Sequence, residues 1–297
     1  MRRRAALLAA ALALLAPVTA APRAEGGTEI KLATWNIAWL TAKPPGHPDL
    51  PRDVPVRSPD DLARLRDYLR RLDADVLALQ EVDGPEGAAL VLDGAEWRVF
   101  FPRERDVQRS AVAVREGRGL RAAQNPDLAA LDLRAGARFS LRRGVDVTVE
   151  AGASRLRVLS VHLNSGCRDG AMEGSRECDS LREQSAVLAG WVGERRAAGE
   201  AYAVAGDFNR RMDREDDLLP TLDRAAAPGP PLLRTTRGVS NPCWGGRPFI
   251  DHVLLGGPAR AWLVEGSLRV LVYAERGPEW RERLSDHCPV SVRLRLP

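Results

Sequence analysis

Residues 204–211 read Val-Ala-Gly-Asp-Phe-Asn-Arg-Arg. An apolar run stops at a glycine and then delivers an acid and an amide one residue apart. Side chains two apart on extended backbone point the same way, so Asp207 and Asn209 face a common point while Phe208 turns back into the core. Arg210 and Arg211 follow directly. A carboxylate, an amide and two guanidiniums at a strand end suit an anion and its metal. Gly-Asp-x-Asn is also a good turn, because Asp and Asn bond their own backbone and tolerate left-handed conformations. The rest of the chain decides between the two.

The deciding pattern is positional. Six expected strands end in, or contain, a residue suited to metal or phosphate: Asn36, Glu81, His162 with Asn164, Asp207 with Asn209, Asp251 with His252, and Asp286 with His287. Each has a plain alternative. Asn36 could cap a strand, Glu81 could be a surface acid, and His162 could be a satisfied core histidine. Asp251 lies inside Phe-Ile-Asp-His-Val-Leu-Leu, and an acid in a buried run needs a partner. Three of the four histidines fall in this set; His47 sits apart in a Pro-rich loop. Six such positions together argue for one site.

The elements that must carry these residues follow from periodicity. A strand is expected over 29–37. Ser58-Pro59-Asp60-Asp61 opens a helix, with cap, proline and early acids. Leu62, Leu65, Leu69 and Leu72 keep helical spacing, and Asp73 ends the element. Residues 75–79 form a buried strand delivering Glu81. Further strands are expected at 96–101, 110–115, 138–141, 144–149 and 155–161, the last ending at His162. A second helix is expected from Asp179 or Ser180 to about Ala198, with Gly199 beyond its end. Residues 213–248 read mostly as loop, and strands close the chain over 249–255 and 289–296. Many short strands with two long helices favour two packed sheets with helices outside.

The motifs TWNIAWL at 34–40, DVLALQEV at 75–82, SVHLNSG at 160–166, AGDFN at 205–209, FIDHVLL at 249–255 and SDHCPV at 285–290 resemble those of the endonuclease/exonuclease/phosphatase superfamily. That fold is shared by pancreatic-type DNase I, abasic-site endonucleases, inositol polyphosphate phosphatases and bacterial sphingomyelinases. The motifs occur in the family's order. The resemblance implies an α/β four-layer sandwich, DNase I-like, with two mixed β-sheets packed face to face and helices outside. It implies a phosphodiesterase using Mg²⁺, with Mn²⁺ or Ca²⁺ as substitutes. Glu81 would be the main metal ligand, with Asn36 and Asp286 close to the metal or phosphate. Asp207 would orient or deprotonate the attacking water, and Asn209 would hold a non-bridging oxygen. His162 and His287 would donate to the phosphate. Asp251 would orient His162, and Asp286 or Glu81 would orient His287. Asn164, Arg210 and Arg211 complete the expected set on the substrate side. A histidine at position 162, where abasic-site enzymes carry a tyrosine, makes DNase- and sphingomyelinase-like members the nearer relatives.

Composition bounds the rest. The first twenty residues read as a secretory signal: Arg2 to Arg4, an Ala/Leu run to Ala16, then Val18-Thr19-Ala20 before the cut. The run is too short for a span of about 20 residues. Residues 21–297 would be the mature domain, secreted or periplasmic. Without the segment, 41 basic residues face 40 acids, a formal charge of +1. Global charge therefore makes no case for nucleic acid; only a local patch could. Arg103, Arg105, Arg109, Arg142 and Arg143 could track a backbone. Four cysteines in an exported chain suggest disulfides, Cys167–Cys178 and Cys243–Cys288; zinc competes, but no CxxC spacing exists. A nuclease acting on DNA or RNA is the expected function. A phosphoesterase of lipid or inositol head groups is the alternative, with Trp244 as the one candidate membrane contact. No stable protein partner and no transmembrane segment are expected, and the chain reads as a monomer.

Overall fold

The computed structural model describes residues 27–297 apart from residues 53, 55, 138, 139, 214 and 215. The expected signal, residues 1–20, lies outside the described residues. The chain runs β1 (Thr28–Leu40), α1 (Pro59–Leu72), β2 (Val76–Val82), α2 (Gly84–Ala88), β3 (Arg98–Phe100), β4 (Arg109–Val114), β5 (Leu120–Gln124), β6 (Val145–Ala151) and β7 (Ser154–His162). It continues through α3 (Arg176–Ala197), β8 (Tyr202–Asp207), α4 (Leu218–Ala226), β9 (Leu233–Arg234), β10 (Asp251–Gly256), α5 (Ala259–Trp262), β11 (Arg269–Val270), α6 (Glu279–Arg283) and β12 (Val290–Leu296).

Two six-stranded sheets form, ordered β11-β12-β1-β2-β4-β3 and β5-β6-β7-β8-β10-β9. Each has a parallel central pair, β1 with β2 and β7 with β8, flanked by antiparallel neighbours. This is the expected sandwich of mixed sheets with helices outside. The arrangement decides where the chemistry goes. Parallel strands end on the same edge, so Asn36, Glu81, His162 and Asp207 gather there. Antiparallel neighbours begin on that edge: Asp251, opening β10, pairs with Asp207, and Val290, just past Asp286 and His287, pairs with Thr34.

Branched aliphatics fill the space between the sheets, including Ile30, Leu32, Val76, Val112, Val147, Val158, Val253 and Val292. A second core lies under α1 and a third under α3 and α4. Near the active edge the inter-sheet layer turns polar. Thr34 donates to Gln80, and Gln80 donates across to Ser160, whose hydroxyl donates back to the Leu79 carbonyl. All three side chains are buried and paired, so they fix the register of one sheet on the other beneath the site.

Several expected boundaries shift. Helix α1 has a capping box, Ser58 with Asp61. Helix α3 begins at Arg176, capped by Ser175, and not at Asp179 or Ser180. Cys178 thus sits in the first helical turn, and its disulfide to Cys167 ties α3 to the end of β7. Cys243 and Cys288 form the second expected bridge. The strand expected over 138–141 falls partly outside the described residues, and Ser140 and Leu141 are not in a strand. Helix α4 interrupts the expected loop at 213–248; its buried Leu218, Leu222 and Ala226 keep a four-residue spacing. Among the described residues no helix is long and apolar enough to cross a membrane.

Candidate active site

Three strand ends leave the sheet through left-handed residues. Ala38 and Trp39 have φ of 51° and 52°, Glu81 has φ 62°, and Asn209 has φ 50°. Non-glycine residues there are strained, and strain of this kind clusters where side chains are aimed for function. Gly206 has a separate reason to be glycine: a Cβ would lie 2.0 Å from the Val161 carbonyl oxygen. That close approach lets β8 pass β7 and bring Asp207 level with His162.

The side chains converge on a cleft of about 370 Å³. Asn36 donates to Glu81 Oε1 (3.0 Å) and Asp207 Oδ2 (3.1 Å), joining the two sheets. Its own oxygen accepts from Ala38 N, and Trp39 N donates to Glu81 Oε2. Asn209 serves Asp207: its backbone N–H donates to Oδ1 (2.7 Å), and its amide is shared between Leu163 O and Asp207 Oδ2. His162 Nε2 stands 3.6 Å from Asp207 and 3.8 Å from Glu81. His287 Nδ1 pairs with Asp251 Oδ2 at 2.8 Å, and its Nε2 lies 3.7 Å from Asp207 and 3.8 Å from Asp286.

Three assignments change. Asp251 orients His287 and not His162; its register opposite Asp207 aims it at the neighbouring loop. His162 Nδ1 has no hydrogen-bond partner among the described residues. Arg210 does not reach the phosphate mouth. It is fully buried and pairs with Asp216 at 2.7 Å, with Cys167 and Gly170 carbonyls taking its other donors. The left-handed turn at Asn209 sends it beneath the disulfide loop. Asn164 likewise spends its amide on the Ser165 and Glu177 carbonyls. Arg211 lines the cleft while pairing with Asp169 at 2.9 Å. Asp286 stands at the mouth with a side chain 63% exposed. His252, on the opposite face of β10 from Asp251, bonds Thr236 and the Arg210 carbonyl and takes no part in the cleft.

The two cleft histidines differ in charge. Burial, then Arg142 and His287, hold His162 well below the ordinary histidine range, so it is neutral. Burial also opposes charge on His287, but Asp251 and Asp207 outweigh it and raise it well above that range. Burial pushes Asp207 up to about 7, with Asp251 adding and His287, Asn209 and Asn36 opposing. The cleft thus holds an imidazolium beside a carboxylate that titrates near neutrality, a pairing suited to acid–base work.

The donor set is hard: Glu81, Asp207, Asp251 and Asp286 with amides and imidazoles, and no thiolate. Asp207, Asp251 and His287 offer ligand atoms within 4.8 Å of one another. A protonated His287 has no lone pair to give, so that trio reads as a hydrogen-bonded relay. The Glu81 oxygens each accept one bond and keep a lone pair, and four carboxylates crowd the cleft. Glu81 and Asp286 offer the kind of oxygen donor that a hard divalent cation takes.

Sequence reasoning missed Arg57. From the Pro-rich loop its guanidinium donates to the carbonyls of Ile37, Ala38 and Trp39 and to those of Arg283 and Leu284. It staples the strained end of β1 to the segment before Asp286. Lone arginines in proline-rich loops carry no periodic signal. Of the five arginines expected to track a backbone, Arg142 alone lines the cleft, where Arg168, Arg211, Arg247 and Arg281 join it. Arg143 turns to Glu104, and Arg109 to Asp106 and Asp83.

The chain belongs to the Endonuclease/Exonuclease/phosphatase family, whose model matches residues 33–287. The family's name spans enzymes that cleave phosphate esters. Solved structures with the same fold include D. rerio TDP2 complexed with single strand DNA product, at 13% identity and TM-score 0.55, covering 90% of this chain and 98% of that one. An endonuclease/exonuclease/phosphatase from Beutenbergia cavernae matches at 22% identity and TM-score 0.54, over 90% and 72% of the two chains. The human nocturnin catalytic domain with bound sulfate anion matches at 16% and TM-score 0.56, over 91% and 95%. No curated protein matches the chain significantly.

Proposed function

We propose that the protein is a metal-dependent phosphodiesterase whose substrate is nucleic acid. The observation carrying this reading is the meeting, at one edge of the sandwich, of Glu81 from one sheet with Asp207 and the Asp251–His287 pair in a cleft rimmed by arginines. Glu81, with Asp286 and Asn36 at hand, would hold Mg²⁺, or Mn²⁺ or Ca²⁺ in its place, supplying charge neutralisation at the phosphate. Asp207 takes the proton of the attacking water as its oxygen bonds to phosphorus. His287, oriented by Asp251, passes its Nε2 proton to the ester oxygen as the P–O bond breaks. Neutral His162 and the Arg142 guanidinium face the phosphoryl oxygens as charge builds. Asn36 and Asn209 keep Asp207 in place.

Five arginines on the cleft favour a polyanion over a single head group. Trp244, the candidate membrane contact, instead stacks on Tyr273 with centroids 5.2 Å apart and donates to the Ser285 carbonyl. The exposed large hydrophobics among the described residues are three valines, Val56, Val239 and Val272, and none is aromatic. Two disulfides support export to an oxidising compartment. The test offers purified protein plasmid DNA, RNA, sphingomyelin and inositol phosphates, each with Mg²⁺ and with chelator. Chelator-sensitive cleavage of DNA or RNA is expected. Head-group release without it would replace the nucleic-acid reading, and no turnover of any substrate would remove the enzyme assignment.

A further inference from the structure

A second cavity, of about 280 Å³, lies beside the catalytic cleft, and Asn241, Arg247 and Pro248 line both. Its buried wall carries Arg234, from the edge strand β9. Arg234 is 7% exposed, and its Nη2 donates to Asp213 at 3.0 Å. Its Nε and Nη1 are buried with no hydrogen-bond partner among the described residues. Several arginines leave a buried Nε unpaired, but among the described residues Arg234 alone leaves two buried guanidinium nitrogens so. Buried charged donors without acceptors are costly, because the lost hydration goes uncompensated.

The neighbouring groups do not meet that need. His252 Nε2 must donate to the Arg210 carbonyl, so its Nδ1 accepts, and the Thr236 hydroxyl is spent donating to it. Asp213 is 59% exposed, so water screens it. Arg247 is exposed at the shared wall. Arg234 and Arg247 against Asp213 leave one net positive charge facing the cavity.

We propose that this cavity is an anion subsite that receives a second phosphate of the substrate, next along the chain from the one being cleaved. The inference rests on the phosphodiesterase reading for its ligand's source, and on Arg234 for its chemistry. An oxyanion supplies acceptors to Nε and Nη1. A phosphodiester polymer crossing the wall at Asn241 and Arg247 would present one phosphate to each cavity.

Two measurements test it. Crystals of the unmodified protein soaked in tungstate, a phosphate mimic, should show anomalous density within hydrogen-bond reach of Arg234 Nε or Nη1; density confined to the catalytic cleft overturns the site. In steady-state kinetics, Arg234→Met should raise KM for a short oligonucleotide about tenfold and leave bis(p-nitrophenyl) phosphate, which has one phosphorus, unchanged. Equal loss on both substrates makes Arg234 merely structural and refutes the proposal. Tungstate at Arg234 with unmoved oligonucleotide KM assigns the site to free phosphate and refutes the substrate half. If the unmodified protein turns over neither substrate, the phosphodiesterase reading fails and the tungstate map alone decides the anion site.

Discussion

Replacing Asp251 with Asn tests the relay most directly. The carboxylate holds His287 Nδ1 at 2.8 Å and is itself buried, 6% exposed. Asn keeps the shape and removes the charge. His287 then loses the largest of the attractions, from Asp251, Asp207 and Asp286, that hold its proton against burial, so its pKa falls. Asp207 loses a like-charged neighbour, so it falls from its present value of about 7. Both limbs of the pH–rate profile should therefore move to lower pH. Lost acid–base participation costs about 10²–10⁴-fold, equivalent to about 3–5 kcal/mol of barrier at ~1.36 kcal/mol per decade. We expect kcat for a DNA oligonucleotide, whose alkoxide leaving group needs the proton, to drop ~10³-fold, with KM little changed, because phosphate contacts stay in place. Thermal stability should fall modestly, since the buried ion pair to His287 is lost and the relieved repulsion from Asp207 offsets only part of it. An unmoved profile with near-normal kcat would refute the relay. A kcat loss that disappears when the variant is assayed well below its Tm would show Asp251 to be structural.

Three other perturbations separate neighbouring roles. Glu104, with one oxygen unpartnered, is raised from 4.5 to about 7, burial being the main cause. Its contribution to stability is present below pH 4.5 and lost as pH rises through 7, so Glu104→Gln should gain up to about 3 kcal/mol at pH 8.5 and little at pH 4 by urea denaturation. Arg210→Ala should destabilise by about 3–5 kcal/mol, because it strands buried Asp216, whereas Arg211→Ala should fold normally and raise KM for DNA; the reverse pattern would restore Arg210 to the substrate. Cys243→Ser with Cys288→Ser opens a 45-residue separation and should cost about 4 kcal/mol by loop entropy, read from denaturant midpoints.

The sandwich was legible because it rests on features a linear string carries. Alternating or continuous apolar runs mark β1, β2, β7 and β8, and the Ser58-Pro59-Asp60-Asp61 signal marks α1. The helices it misplaced depended on less visible causes. Helix α4 is nine residues long inside a segment rich in loop formers, and its register shows only in Leu218, Leu222 and Ala226. Helix α3 starts before the expected Asp179 or Ser180 because Ser175 caps it and the helix already runs through Cys178.

The candidate site divides along the same line. Residue types at strand ends announced which side chains would meet, since parallel pairing sends every such end to one edge. Partner choice was hidden, because it depends on left-handed backbone at Ala38, Trp39, Glu81 and Asn209. Those left-handed residues decide that Asn36 spans Glu81 and Asp207, and that Arg210 turns under while Arg211 stays at the cleft. Asp251 reaches His287 because β10 opens opposite Asp207, a cross-strand fact that spacing along the chain does not contain. Arg57 makes the same point: one guanidinium on five carbonyls fixes the strained end of β1 against the loop of Asp286 and His287. Strand-end chemistry thus proposes the participants, while the non-repetitive backbone between elements decides which carboxylate serves which base.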